Sequence, residues 1–202
     1  MSRAKAVVAA IQDTALFARA TLASPGAVGA IIPSSRFSGR SMAEAAKASA
    51  GCSVLELGAG TGAFTKAFLS AGIAPSDMVL VERDLRFMHL LRKLAVGAEV
   101  LGDDAFALAE QWAADGRTFD IIVSGLPFLN FPEKDALRLR DNLLRCLAPE
   151  GRIVQITYGR KSPIPLDVSA DGSFEVGALT AQKVDIVWRN LPPAHIWLYH
   201  LN

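Results

Sequence analysis

The amino-acid sequence predicts an α/β domain with a doubly wound, mostly parallel sheet. From residue 53, short apolar or β-branched runs alternate with helical segments, as in right-handed βαβ units whose helices cover both faces of a sheet. Glycine or acidic residues close the first three runs, and in such folds these strand ends share one ligand-binding edge. After residue 160, two apolar runs flank a proline-rich turn, which predicts a closing hairpin that adds an antiparallel strand. We therefore expect seven strands.

The individual elements follow from this alternation. Helices are predicted near residues 63–71, 84–95, 105–114 and 133–147. The parallel strands are predicted as SVLEL (53–57), DMVLVE (77–82), AEVLG (98–102), FDIIVS (119–124) and RIVQITY (152–158). The hairpin strands are KVDIVWRN (183–190) and AHIWLYH (194–200), and Trp188, Trp197 and Tyr199 are expected mainly as core residues of this hairpin.

Two helices are predicted before the first strand. Residues 4–23 repeat apolar side chains every three to four positions, which predicts an amphipathic helix within residues 1–24. The prolines and glycines of SPGAVGAIIPSS then break this pattern. The following segment SGRSMAEAAKAS (38–49) predicts the second helix.

Composition limits the architecture and the classes of partner. With 202 residues, 51% of them apolar and 20% charged, the chain is expected to form one domain over residues 1–202. The net charge of +1 neither requires nor excludes a polyanionic partner. Cys52 and Cys146 lack the spacing of a metal site or a disulfide framework, so no metal is expected. No apolar run reaches the ~18 residues that span a bilayer, and no signal cleavage site follows the N-terminal run, so we expect a cytoplasmic protein.

The end of the first predicted strand carries a ligand-binding loop. Glycines at a strand-to-helix turn let a ligand approach the backbone, and the following helix presents free N–H groups. A lone Gly-x-Gly-x-Gly is weak evidence, and its context strengthens it. The loop consists of Glu56, Gly58, Gly60, Thr61 and Gly62.

Acidic residues close the next two predicted strands. Glu82 ends the second strand, where a carboxylate can accept both ribose hydroxyls of a nucleotide. Asp103 or Asp104, after the third strand, can accept the exocyclic amine of an adenine. The alternative is that Glu56 and Glu82 are only solvated strand ends.

This arrangement resembles the class I methyltransferases that use S-adenosylmethionine, over most of the chain from about residue 30. The form Glu-x-Gly-x-Gly-x-Gly, led by Glu56, is similar to their first motif. The resemblance implies a Rossmann-like fold and a loop at Gly58 to Gly62 that lies against the methionine part. It also implies a ribose contact at Glu82 and an adenine contact at Asp104 and Ala105. Arg83 is a candidate for packing on the adenine, and Ser124 at the end of the fourth strand for the cofactor side.

The stretch SGLPFLN (124–130) is expected to present the methyl acceptor. Adenine-N6 methyltransferases carry Asn-Leu-Pro-Tyr or Asn-Pro-Pro-Tyr at the equivalent turn, and their Tyr stacks on a flipped base. The alignment places Gly125 at the Asn position and Phe128 at the Tyr position. The side-chain acceptor is therefore missing, and a rim of backbone carbonyls at Gly125 and Leu126 remains. This suits an amine that is smaller and less planar than adenine, with Asn130 as a further substrate contact.

Four separated segments resemble the bacterial phospholipid N-methyltransferases, which convert phosphatidylethanolamine stepwise to phosphatidylcholine. These segments are VGAIIPSSRFSGRSMA, SGLPFLNFP, VQITYG and VWRNLPPAHIWLY. GDDAF departs from the single Asp that is more frequent in that family, which leaves open whether Asp103 or Asp104 meets adenine. An ammonium headgroup must lose a proton, which Tyr158 or a water near it could receive, and Tyr158 is also a candidate substrate contact. Arg189 is a candidate for the lipid phosphate because a guanidinium matches phosphate oxygens, with a surface ion pair as its alternative.

Three functions are compatible with these features of the sequence. The first is a phosphatidylethanolamine N-methyltransferase, with S-adenosylmethionine as cofactor, S-adenosylhomocysteine as product and no nucleic-acid partner. The others are an rRNA adenine N6-dimethyltransferase and a catalytically silent binding module. A lipid substrate implies peripheral association with the inner face of the cytoplasmic membrane. The net positive N-terminal helix, with Arg3, Lys5 and Arg19 against Asp13, is expected to contact the anionic membrane surface, and the oligomeric state is left open.

Overall fold

In the computed structural model, residues 36–166, 179–190 and 193–201 are described. The predicted helix within residues 1–24 lies outside them. The helices are α1 (Arg36–Ala45), α2 (Ala63–Ser70), α3 (Leu85–Leu94), α4 (Ala105–Asp115) and α5 (Glu133–Arg145). The strands are β1 (Val54–Leu57), β2 (Met78–Val81), β3 (Glu99–Leu101), β4 (Phe119–Ser124), β5 (Leu147–Thr157), β6 (Leu179–Val187) and β7 (Ala194–Leu201).

The seven strands form one sheet in the order β3-β2-β1-β4-β5-β7-β6. The first five strands pair in parallel, and β7 is antiparallel to both β5 and β6. The predicted mostly parallel sheet with a terminal hairpin is therefore confirmed. The carboxyl ends of β1 to β6 consequently lie at one edge, which we call the carboxyl edge.

Two apolar cores hold the helices on the sheet. On one face, Phe64 and Phe68 of α2 pack with Met42 of α1. On the other face, Trp112 of α4 packs with Leu139 of α5. β1 and β2 are buried along their whole length, as expected for parallel strands covered on both faces.

Some element boundaries differ from the sequence prediction. β6 begins at Leu179, four residues before the predicted start at residue 183, and β5 begins at Leu147, five before residue 152. Both extensions contain polar or small residues that the apolar pattern does not mark as strand. Cys146 is buried and Cys52 is half-buried, and both are free thiols.

Candidate active site

The glycine-rich loop between β1 and α2 presents an open backbone surface at Gly60. Gly60 has a φ of 53°, and a Cβ at this position would have no neighbour closer than the Gly58 carbonyl oxygen at 4.0 Å. Gly62 differs, because a Cβ there would lie 2.5 Å from Leu94 Cδ2 of α3. Gly62 is thus required for packing between helix and loop, whereas Gly60 leaves room for a ligand to approach the backbone.

Glu82 joins this loop to the end of β2. One carboxylate oxygen accepts a hydrogen bond from Gly60 N at 2.8 Å, and the other accepts one from Asp84 N at 2.8 Å. A carboxylate offers about four lone-pair sites, so each oxygen can still accept a bond from a ligand. Glu82 therefore fixes the loop and remains able to bind hydroxyl groups.

Glu56 lies beneath the loop rather than on its surface. The side chain is fully buried, and Oε2 accepts a 2.7 Å hydrogen bond from Thr65 Oγ1. Burial raises the pKa of Glu56 from its ordinary 4.5 to about 8, while the bond to Thr65 acts in the opposite direction. Oε1 has no partner among the described residues. Glu56 is thus neither a solvated strand end nor an exposed contact, and its free oxygen can accept a bond from a buried water or ligand donor.

The two aspartates after β3 have different surroundings. Asp104 is the N-cap of α4, and its Oδ1 accepts bonds from Phe106 N at 2.9 Å and Ala107 N at 3.4 Å. Its other oxygen lies 3.5 Å from the exposed guanidinium of Arg83. Ala105 is buried in the core, which leaves only its backbone for a ligand contact. Asp103 is exposed at the carboxyl edge, and its carboxylate is not needed for the helix cap.

The turn after β4, which we call the acceptor turn (residues 124–128), is fixed by a dense set of hydrogen bonds. Gly125 N donates to Leu57 O at 2.9 Å, and Leu126 N donates to Ser124 Oγ at 3.2 Å. A Cβ at Gly125 would lie 3.1 Å from the Gly58 carbonyl oxygen. Gly125 is therefore needed where the acceptor turn meets the glycine-rich loop, and the space predicted there for an amine is partly used by this contact.

Two site predictions need correction at this turn. Ser124 is fully buried and its hydroxyl holds Leu126 N, so it supports the turn rather than facing the cofactor. The Leu126 carbonyl was predicted to face the acceptor. It instead accepts bonds from Gln155 Nε2 and from Phe128 N, both at 2.9 Å, so its lone pairs are used. Of the two predicted carbonyls, that of Gly125 remains available, because it accepts no hydrogen bond from the described residues.

Gln155 is a residue of the site that the sequence analysis missed. It is fully buried in β5 and pairs in register with Ser124. Its amide group also donates to the Ile156 carbonyl at 2.7 Å, so both N–H bonds are used, and Oε1 has no partner in the described chain. The signal was present in RIVQITY, because a glutamine inside a buried apolar run requires dedicated hydrogen-bond partners.

Phe128 does not occupy a substrate-facing position, contrary to the sequence prediction. Its side chain is 2% exposed and packs on Phe131 with ring centroids 5.6 Å apart. Pro127 has φ −81° and ψ 68°, which closes a tight inverse γ-turn and directs Phe128 into the core. Asn130 is exposed beyond this turn, so its side chain is accessible to a substrate.

Tyr158 follows β5, but its hydroxyl is buried. Burial raises the pKa of Tyr158, and the nearby Asn190 side chain lowers it in part, although no hydrogen-bond partner with full bonding geometry is found among the described residues. The group is therefore a neutral phenol at neutral pH. It can exchange hydrogen bonds, but as a phenol it is a poor proton acceptor.

The surroundings of Arg189 include an aromatic ring, which neither sequence interpretation, a phosphate contact or a surface ion pair, had included. It is exposed, and its guanidinium stacks on the Phe37 ring of α1 at 4.6 Å. No ion pair involving Arg189 is found within the described ranges. The stacked guanidinium keeps its N–H groups available for an anion.

Comparison with known proteins agrees with this geometry. Residues 54–151 match a family described as a methyltransferase domain. A curated relative, the ornithine lipid N-methyltransferase of Singulisphaera acidiphila, is 34% identical over 108 residues, which are 52% of this chain and 56% of the relative. The chain thus spans just over half the length of that relative.

Two solved structures show the same fold at low identity. The TehB-like S-adenosylmethionine-dependent methyltransferase of Corynebacterium glutamicum superposes with a TM-score of 0.58 and 16% identity, covering 95% of this chain and 99% of the other. The magnesium protoporphyrin IX methyltransferase of Synechocystis, solved with bound S-adenosylmethionine, gives 0.55 at 13% identity over 75% of this chain and 71% of the other.

The described residues fit this cofactor. Gly60 leaves open space over the loop backbone, Glu56 Oε1 is a buried polar atom without a partner among the described residues, and Asp103 is exposed along the same edge. The sheet order and the solved neighbours show a class I methyltransferase fold, residues 54–151 match a methyltransferase domain, and together they support S-adenosylmethionine as the cofactor.

Proposed function

We propose that the protein is an N-methyltransferase that acts on the amine of a membrane lipid, converting phosphatidylethanolamine and its methylated intermediates toward phosphatidylcholine. The observation that carries the proposal is the acceptor turn: Gly125 brings no side chain, and the Gly125 carbonyl is left without a hydrogen bond from the described residues. A small amine can donate an N–H to this carbonyl.

The surroundings of the turn support a lipid amine over a nucleic-acid base. A flipped adenine is held by stacking between aromatic or apolar side chains, and the aromatic residue of the turn, Phe128, is only 2% exposed and so does not offer its ring to a base. The curated relative is itself a lipid N-methyltransferase by name. Its substrate name also raises a second candidate, the amine of an ornithine lipid. Both lipid types present a primary amine near an anionic group, which the exposed guanidinium of Arg189 can bind.

We assign the cofactor contacts from the same geometry. The backbone at Gly58, Gly60, Thr61 and Gly62 would hold the methionine part, Glu82 the ribose hydroxyls and Asp103 the adenine amine. Asp104 is assigned to the helix cap because its Oδ1 is already bonded. The bound cofactor supplies a methyl group on a positively charged sulfur.

The chain's own contribution to the reaction is mainly positioning. Holding an amine in line with a reactive methyl can supply ~7–11 kcal/mol of the barrier reduction. The Gly125 carbonyl orients the amine, and the hydrogen bonds of Ser124 and Gln155 keep the turn in place. An ammonium headgroup must lose a proton before it reacts. Because burial raises the pKa of Tyr158, we assign that proton to water and leave Tyr158 a role in hydrogen bonding.

Incubation with a radiolabelled methyl donor tests the proposal. One tube receives phosphatidylethanolamine vesicles, a second ornithine-lipid vesicles, and a third rRNA. Label that partitions with extracted phosphatidylethanolamine is the expected result. Label only in the ornithine lipid would show that the substrate is the second candidate, the ornithine-lipid amine. Label only in RNA would overturn the proposal.

A further inference from the structure

Three loops at the carboxyl edge lie side by side around the acceptor turn. Ser124 of β4 pairs with Gln155 of β5. His195 of β7 pairs with Thr157 on one side and with Ile186 on the other. The segments that follow β4, β5 and β6 therefore leave the sheet at one level. They form one continuous surface, which we call the rim (residues 125–132, 158–166 and 188–190) and which includes most of the acceptor turn.

Large apolar side chains are exposed on this rim. Trp188, directly after β6, is 75% exposed, and Leu129, after β4, is 52% exposed. Trp188 was expected in the hairpin core, but β6 ends one residue earlier and the side chain leaves the sheet. A Cβ at Gly159 would lie 2.6 Å from Leu129 Cδ1, so the loops after β4 and β5 are in contact. An exposed Trp is typical of membrane-interface surfaces, because its ring is apolar and its N–H is polar.

The same rim is positively charged. Arg160 and Lys161 are exposed after β5, and Arg36 and Arg189 stack on Phe37 at 4.9 and 4.6 Å. The described rim segments 125–132, 158–166 and 188–190 contain no Asp or Glu. Burial lowers the pKa of His195 near the start of β7, and the positive charges of Lys183 and Arg160 lower it further.

The α1 helix holds the end of this rim in place. Asn190 Nδ2 donates to Ser38 Oγ at 2.8 Å, and both residues are buried. The turn that carries Trp188 and Arg189 is therefore fixed at its base, and its exposed residues are presented from a rigid support. By contrast, the acidic residues Glu82, Asp103 and Asp104 lie on the other half of the carboxyl edge, at the ends of β2 and β3.

We propose that this rim docks on the headgroup layer of an anionic bilayer, with Trp188 and Leu129 entering the interface and Arg36, Arg160, Lys161 and Arg189 facing lipid phosphates. The inference rests on the proposed lipid substrate, because docking here brings the acceptor turn to the level of the headgroups. Each Lys or Arg near an anionic surface contributes ~1 kcal/mol. The exposed Leu129 favours a bilayer over RNA, because RNA binding depends on phosphate contacts and aromatic stacking, neither of which uses an aliphatic side chain.

Flotation with vesicles of phosphatidylglycerol and phosphatidylcholine, without any amine substrate, tests the proposal apart from the chemistry. The full chain is compared with Trp188→Ala, with the double variant Arg160→Glu and Lys161→Glu, and with a control, Lys93→Ala and Val96→Ala. The control removes an exposed cation near the C-terminus of α3 and, just after this helix, an apolar side chain that is 77% exposed. The rim variants are expected to float at least fivefold less than the wild type, the control to float normally, and all to keep their affinity for S-adenosylhomocysteine.

Tryptophan fluorescence provides a second measurement. Quenching by brominated lipid chains is expected in the wild type and is expected to be lost in Trp188→Phe, because Trp112 is 4% exposed and Trp197 is only partly exposed. Equal flotation of wild type and rim variants, quenching retained in Trp188→Phe, or rim-dependent binding to RNA instead of vesicles would each overturn the docking surface. If the proposed substrate is wrong but the docking surface is right, the protein will bind vesicles without methylating the lipid.

Discussion

Gln155 Nε2 donates a 2.9 Å hydrogen bond to the Leu126 carbonyl and so ties the carboxyl-terminal part of β5 to the acceptor turn. The same amide group donates to Ile156 O at 2.7 Å, so the side chain cannot rotate without breaking two bonds. This bond and the one from Phe128 N use the lone pairs of the Leu126 carbonyl, which leaves the Gly125 carbonyl for the proposed substrate amine. We therefore propose that Gln155 is a positioning residue.

We expect Gln155→Met to lower turnover by about 10- to 100-fold, because small displacements of a reacting group have effects of this size. The KM for the lipid and the affinity for S-adenosylhomocysteine should change little. Val154→Ala is the matched control, since Val154 is equally buried in β5 but packs in the core on the other face. Steady-state kinetics checks this. A loss of turnover no larger than in Val154→Ala would leave Gln155 with a structural role only.

Gly60→Val should remove cofactor binding, because the side chain would fill the open space over the loop. Valine at a positive φ also costs ~1–2 kcal/mol of stability, so a control with the same strain is needed. Gly116→Val serves, since Gly116 has a φ of 70° at the end of α4 and no neighbour within 4 Å. Titration calorimetry with S-adenosylhomocysteine should show lost binding in Gly60→Val alone. Equal affinities in both variants would place the cofactor elsewhere.

Replacing Asp103 and Asp104 by alanine, one at a time, should show that the two residues have different roles. Asp104→Ala removes the N-cap of α4 and should lower the free energy of unfolding by about 1 kcal/mol. Asp103→Ala should leave the stability unchanged and weaken cofactor binding about tenfold, as expected when one hydrogen bond to a neutral amine is lost. Thermal unfolding and calorimetry on both variants measure the two effects. The reverse pattern would assign the adenine to Asp104.

Glu56 should make the stability of the protein depend on pH. The pKa is raised from 4.5 to about 8 by burial, so between these values the folded state retains a proton that the unfolded chain releases. Stability should therefore fall as pH rises from about 4.5 to 8, by at most ~1.4 kcal/mol per pH unit. Glu56→Gln should flatten this dependence, whereas Glu110→Gln, at an exposed position of α4, should not. Urea unfolding from pH 5 to 9 measures it, and identical slopes in all three proteins would refute the raised pKa.

The sequence was sufficient for the fold because its main signals are local and periodic. The succession of strands and helices along the chain follows from the alternation, and the hairpin was predicted to add an antiparallel strand, which is β7. The misplaced side chains depend on tertiary packing. Phe128 is turned into the core by the γ-turn at Pro127, and Trp188 is exposed because β6 ends at Val187. Neither boundary is marked by composition.

In the candidate site, too, the local signals were predictable from the sequence and the tertiary contacts were not. The glycine-rich loop and the acidic strand ends lie at one edge, as predicted. The partners of Ser124, Asp104 and Gln155 could not be read from the sequence, because each hydrogen bond depends on a side-chain rotamer and a neighbouring backbone position. The roles of Tyr158, Asn130 and Arg189 toward a substrate stay predictions.

In the proposed function, the protein methylates a lipid amine of the phosphatidylethanolamine type that is held at the acceptor turn. The most direct test is mass spectrometry of lipids recovered after the enzyme acts on vesicles that contain equal amounts of phosphatidylethanolamine and ornithine lipid, with Gly60→Val as the inactive control. The account predicts mono-, di- and trimethylated phosphatidylethanolamine in the wild-type reaction, and none with Gly60→Val. Methylated ornithine lipid with unmodified phosphatidylethanolamine would contradict the account.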